Sequence, residues 1–167
     1  SHSTISNTII NHDCKVSGEV HSCIFQPYSN KSHEGFLGHS FIGSWVNLGA
    51  GTTTSNLKNN YSSIKVKWSG ELVDTGSIFF GSIIGEHVKT AIGTNLNSGT
   101  VIELGCNIVS QTFPPRHIPA FSLFYKNKMI KTKFEDFCEV AEKAMKRRKK
   151  ELSSSEKSIL NSIYKNY

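Results

Sequence analysis

The 167-residue sequence has no run of about 18 apolar residues, so it carries no segment that would cross a bilayer as a helix. It also lacks a C-x-x-C pair. Cys14, Cys23, Cys106 and Cys138 are scattered, which excludes zinc-ribbon and thioredoxin-type motifs and predicts reduced packing thiols in a cytoplasmic protein. The histidines and cysteines show no recognised ligand spacing, so no metal is expected. Acidic residues are in the minority, with 13 Asp and Glu against 19 Lys and Arg and a formal net charge of +6. Much of that excess sits in "KAMKRRKK", Lys143 to Lys150, without interleaved aromatic residues. Such a run reads as a solvated helix end rather than a nucleic-acid site, and neither a nucleic-acid nor a membrane partner is expected. The Ser1-His2 start has neither a basic opening nor an apolar run, so it reads as a cloning remnant and not a secretory signal.

What the sequence does contain is a period of six. Ile84, Thr90, Leu96, Ile102 and Ile108 recur every six residues, and the same frame holds at Ile42 and Leu48. Four positions after them stand Val46, Thr52, Val88, Thr94, Thr100 and Cys106, all small or β-branched. Two inward sites per six residues fit neither a helix nor a simple alternating strand. They predict a parallel β-helix, in which each short strand stacks on its copy in the next coil. Ile10, Val16, Cys14 and Val20 extend a degenerate repeat toward the N-terminus, and glycines after the aliphatic residues are expected to serve the bends.

The period lapses between Leu57 and Phe80, which reads as an inserted loop with a strand at Ile64 to Trp68, and it stops after Ser110 at "FPPRHIP". Two helices should follow. Thr132-x-x-Glu135 is a capping box before the stripe Phe134, Phe137, Cys138, Ala141 and Met145; Ser153-x-x-Glu156 precedes Ile159, Leu160 and Ile163. These helices are expected to cover the open end of the stack. The organisation is therefore a β-helix domain over residues 1–125, with the loop at about 57–80, and a helical extension over 126–167.

Within this frame the stretch "HEGFLG", then "IGSWVNLGAGT", then "TSN" follows the order H-x-x-aromatic-L-G, I-G-x-x-V-N-[IL]-G-A-G-T, T-x-N. It resembles the left-handed β-helix acetyltransferase domain of bacterial bifunctional N-acetylglucosamine-1-phosphate uridylyltransferase/glucosamine-1-phosphate N-acetyltransferases and related sugar nucleotidyltransferase-like proteins. The resemblance covers the chain from about Val16 to the final helices. It implies an all-β fold of left-handed coils with C-terminal α-helices, a cytoplasmic homotrimer with sites between subunits, and acetyl-CoA as cosubstrate.

The resemblance also assigns roles. His33 becomes the general base, and an imidazole suits that role because it takes up a proton near neutral pH. Asn56 orients the base or the substrate, and Ala50 offers a backbone N–H to the thioester oxyanion. Lys31, Phe36, Asn47 and Lys65 fall at or near positions that hold the sugar phosphate. Phe36 replaces the family's tyrosine, and the family's phosphate-binding arginine one coil earlier has no counterpart in "NHDCKVSGEV". The chain also carries no glycine-rich nucleotide-binding loop, so it reads as the C-terminal portion of a longer protein whose N-terminal nucleotidyltransferase domain is missing. Two functions stay open: acyl-CoA-dependent N-acetylation of an amino sugar 1-phosphate, or a noncatalytic trimerising or regulatory domain of a sugar-1-phosphate nucleotidylyltransferase.

Overall fold

The computed structural model describes residues 3–167; the Ser1-His2 start lies outside them. The chain winds in coils of three short strands. The first coil holds β1 (Thr4–Ser6), β2 (Ile9–Ile10) and β3 (Lys15–Val16), and the second β4 (Glu19–His21), β5 (Ile24–Phe25) and β6 (Asn30–Lys31). The third holds β7 (Phe36–Gly38), β8 (Phe41–Ile42) and β9 (Asn47–Leu48). The fourth opens with β10 (Thr53–Thr54), departs into a hairpin of β11 (Lys65–Trp68) and β12 (Glu71–Asp74), then resumes with β13 (Ser82–Ile84) and β14 (Lys89–Thr90). The fifth holds β15 (Asn95–Leu96), β16 (Thr100–Ile102) and β17 (Asn107–Val109); the last holds β18 (His117–Ile118) and β19 (Ser122–Tyr125). The strand β20 (Lys128–Lys131) folds back antiparallel on β19, and the helices α1 (Phe134–Lys146) and α2 (Ser154–Lys165) follow.

Stacking of equivalent strands makes three parallel faces. Face A is β1-β4-β7 with β10-β15, face B is β2-β5-β8-β13-β16-β18, and face C is β3-β6-β9-β14-β17-β19, edged by β20. The chain is thus mostly β, a solenoid of stacked parallel turns with two short C-terminal helices.

The period of six is the inward ladder of this solenoid. On face B the register stacks Ile10, Phe25, Ile42, Ile84, Ile102 and Ile118. On face C it stacks Thr90, Ile108 and Phe124, with Leu48 below them. From Phe25 upward all of these are buried, and so are the small residues Val46, Thr52, Val88, Thr94, Thr100 and Cys106. Each buried aliphatic side chain contributes about 1.5–3 kcal/mol, so the ladder supplies most of the driving force for coiling. Thr52 and Thr90 satisfy each other inside through hydroxyls 2.8 Å apart. Ile10 stacks on β5 from one side only and stays 41% exposed. The thiols are packing groups: all four are free, and burial pushes Cys23 up to about 11 and Cys106 up to about 12.

Several features depart from the sequence expectation. The bends do not all need glycine: the B–C corner is turned by Asp13, Tyr28, Trp45, His87 and Phe121, each at positive φ. Gly43 serves close approach instead, since a Cβ there would lie 2.7 Å from the Glu86 nitrogen of the next coil. The inserted strand is half of a hairpin, with Lys65 opposite Asp74. The coiling resumes within "FPPRHIP" itself, because Ile118 and then Phe124 restore the inward ladder after one face is skipped.

The helices also sit differently. Thr132 caps nothing; the N-cap of α1 is Lys133, with no side-chain cap, whereas the Ser153–Glu156 capping box forms as expected. The stripe from Phe134 to Met145 is buried throughout, but on α2 Ile159 is 62% exposed and Leu160 is the buried residue. Instead of closing the end of the stack, the helices line the B–C corner. Tyr28 stacks on Trp45 (ring centroids 4.1 Å apart), Trp45 on His87 (6.2 Å), and Phe137 meets both His87 and Phe121 edge-on. Gly105 leaves the gap that Phe137 enters, since a Cβ there would lie 2.8 Å from its ring. His87 is sealed in this column, and burial, with Lys89 nearby, pushes its imidazole down to about 4.

Candidate functional site

The candidate site is built on the C–A corner, where the chain passes from face C to face A. In the second coil this corner is Ser32 to Gly35, in the third Gly49 to Gly51, and in the fourth Ala91 to Gly93. Backbone bonds stack them: Gly51 N–H donates to the Glu34 carbonyl (3.2 Å) and Gly93 N–H to the Ala50 carbonyl (2.7 Å). His33 projects into solvent at the lowest of the three. Ala50 lies one coil above it. Beyond Ala50 the corner opens into a cavity of about 640 Å³ walled by Ala91, Ile92, Val109 and Tyr125. An exposed imidazole, a backbone corner and an apolar trough therefore follow one another along a single edge.

Face A continues the site. Phe36 lies over Gly38, where a Cβ would fall 2.5 Å from the Phe36 ring and 2.6 Å from the Asn56 amide nitrogen. Asn56 does not reach His33. Its Nδ2 donates to His39 Nδ1 at 2.8 Å, which leaves the ring hydrogen of His39 on Nε2. His39 in turn faces His21 (ring centroids 5.4 Å apart) and stacks on Phe79 from the end of the insertion. Burial, then the neighbouring His21, lowers the pKa of His39 below the usual imidazole value. His21 Nδ1 lies 2.8 Å from the Ser6 hydroxyl. Sequence reasoning passed over this histidine pair; the available signal was that the two stand one coil apart.

Lys31 is a correction. Its register with Val16 turns it inward, it is 1% exposed, and its ammonium donates to the carbonyls of Ser17 (3.0 Å) and His33 (2.9 Å). Burial lowers its pKa, and the side chain braces the His33 corner from inside rather than facing a phosphate. Asn47 is exposed on face C, accepting from Asn30 Nδ2 at 3.2 Å. Lys65 is exposed on the hairpin, which packs at Gly99 on the A–B corner. One chain thus groups His33 with Ala50 and Phe36 with Asn56, and leaves Asn47 and Lys65 on other faces.

Among the described residues no three His, Cys, Asp or Glu side chains gather as a metal site. No described helix is long and apolar enough to cross a membrane.

A parallel β-solenoid of hexapeptide coils with an exposed histidine corner defines the class. No family model matches the chain. Individual proteins do match. The chain is 34% identical over 87 residues to a bifunctional sugar-1-phosphate nucleotidylyltransferase/acetyltransferase of Sulfurisphaera tokodaii, covering 52% of this chain and 22% of that protein. It is 31% identical over 131 residues to the bifunctional protein GlmU of Methanococcus aeolicus (76% and 32%) and 30% identical over 122 residues to that of Methanococcus vannielii (72% and 29%). The chain's homologues are therefore bifunctional nucleotidyltransferase-acetyltransferases of the GlmU kind, and it corresponds to their C-terminal, acetyltransferase-domain region. The aligned stretches span about a fifth to a third of these relatives' lengths.

Proposed function

We propose that this chain is an acyl-CoA-dependent N-acetyltransferase domain that acts on an amino sugar 1-phosphate in the cytoplasm, as part of a protein with a nucleotidyltransferase domain. The observation that supports it best is the C–A corner, where His33, Ala50 and the 640 Å³ trough lie in sequence. The apolar trough fits the pantetheine arm of acetyl-CoA. In the reaction the sugar amine attacks the thioester carbonyl, the imidazole of His33 takes the amine's proton, the C–S bond breaks, and the CoA thiolate leaves to be protonated. The Ala50 N–H would serve the oxyanion.

Asn47 and Lys65 stand away from His33 within one chain, which fits a site completed by neighbouring subunits. Face B supports such an assembly. Its outward ladder is Ile9, Ile24, Phe41, Ile83 and Val101, and the first three are 64%, 42% and 39% exposed. An all-parallel sheet with an aliphatic outer row is ordinarily covered, and a homotrimer would cover it.

A second reading, a noncatalytic trimerising or regulatory domain, draws on three observations: Phe36 lacks a hydroxyl, Lys31 is buried, and Asn56 is taken up by His39. Thiol release from acetyl-CoA, with glucosamine-1-phosphate and a panel of other amino sugar phosphates, separates the two. Turnover that falls at least a hundredfold in a folded His33→Ala variant supports the transferase. No turnover across the panel from an intact oligomer supports the scaffold.

A further inference from the structure

Between face C and the end of α1 lies a cavity of about 390 Å³, of whose lining the acetyl-transfer reading draws only on Asn47. Its solenoid wall is the outward row of four successive coils, Lys15, Asn30, Asn47 and Lys89; its helical wall carries Arg147 and Arg148. Tyr28 and Trp45, already stacked on each other, close one side. No carboxylate lines it. Among the described residues none of these four cations takes part in an ion pair.

The bland explanation of the basic run is that the negative end of the α1 dipole attracts cations. It accounts for Lys143, which points outward and pairs with Glu139, and for the presence of Arg147 and Arg148. It does not account for two lysines on the opposite wall. Lys89 is half-buried there, and its ammonium has one protein partner, the His87 carbonyl at 3.1 Å. Four like charges gathered around one cavity with no carboxylate among them repel one another, and an anion between them would relieve that repulsion. Lys15 and Lys89 arise three coil steps apart, about 14 Å at the usual strand spacing, so that counter-charge is elongated rather than a single phosphate. The two asparagines between them supply amide donors to its middle.

We infer that this cavity is a binding site for a small diphosphate-bearing ligand, held by Lys15, Lys89, Arg147 and Arg148 across the gap between the solenoid and α1. The inference does not involve His33; coenzyme A also carries a diphosphate, so it enters the test as a competitor.

Isothermal titration of the whole chain with inorganic pyrophosphate at low ionic strength tests it. One pyrophosphate per chain is expected, with affinity falling as salt is raised. Affinity should drop at least tenfold in the double variant Arg147→Ala/Arg148→Ala and in Lys89→Met, both checked for an unchanged melting transition. The outward pair Lys143→Ala/Lys149→Ala should leave it unaltered. Competition by uridine diphosphate or by coenzyme A would show that the natural source is a nucleotide, and by coenzyme A alone that it is the acyl donor; failure of both to compete would point to the free diphosphate anion. Absence of binding, or equal losses from the outward and inward variants, would overturn the site and leave only diffuse surface attraction.

Discussion

Faces B and C share one backbone geometry and one kind of interior, yet their outer rows are opposites. Face B presents Ile9, Ile24, Phe41 and Ile83, and face C presents Lys15, Asn30, Asn47, Lys89 and Asn107. In a solenoid the inward residue of each strand closes the coil, and the outward residue is left to interact with whatever lies outside. The difference between the faces is therefore where function is to be sought: one face suits a second protein surface, the other an anion. The hairpin and the C-terminal end already lie against face B at the fourth and fifth coils, where Ile83, Val101 and Glu103 line a cavity with Trp68 and Tyr167. The bare rows of the first three coils are what remains to be covered.

The largest effects should come from the interior, and they should not distinguish the faces. Phe25→Ala on face B and Phe124→Ala on face C should each cost about 3–5 kcal/mol in urea unfolding. The outward neighbours Ile24→Ala and Leu123→Ala should cost far less, and a large loss from either would mean that the outer rows are part of the fold. Next in size is the corner between the two faces. The folded-state pKa of His87, pushed down to about 4, lies below the ordinary 6.5, so between these values the unfolded chain binds a proton that the folded chain does not. Stability is then fully present above about pH 6.5 and is lost as pH falls toward 4, by an amount on the order of 3 kcal/mol. His87→Phe keeps the stack and should flatten that window in a melting series.

The smallest effects separate the two helix starts. Ser153→Ala removes a capping box that is formed and should cost about 1 kcal/mol. Thr132→Ala removes one that is not and should leave the melting temperature unchanged.

The interior was legible in the sequence because a six-residue period is a direct image of the coil. The repeat positions Ile42, Leu48, Ile84, Thr90, Leu96, Ile102 and Ile108 are buried, and so are the small residues four places after all but the last of them. The corners were not legible, since Tyr28, Trp45, His87 and Phe121 adopt positive φ that their side chains disfavour; stacking across coils offsets that strain. Lys31 misled for a related reason. Its motif position says phosphate, but the alternation of β6 turns it inward, and only register reveals that. The position of His33 and Ala50 on one corner follows from the coil length; the pairing of Asn56 with His39 depends on which side chains meet over Gly38, which no spacing encodes.

Light-scattering mass of the chain in solution, alongside the double variant Ile24→Glu/Phe41→Glu, tests most directly whether the outer rows carry the function. The account predicts a particle of about three chains for the parent and a folded monomer for the variant, with pyrophosphate binding retained. A monomeric parent, or a variant that keeps the parent's mass, would contradict it.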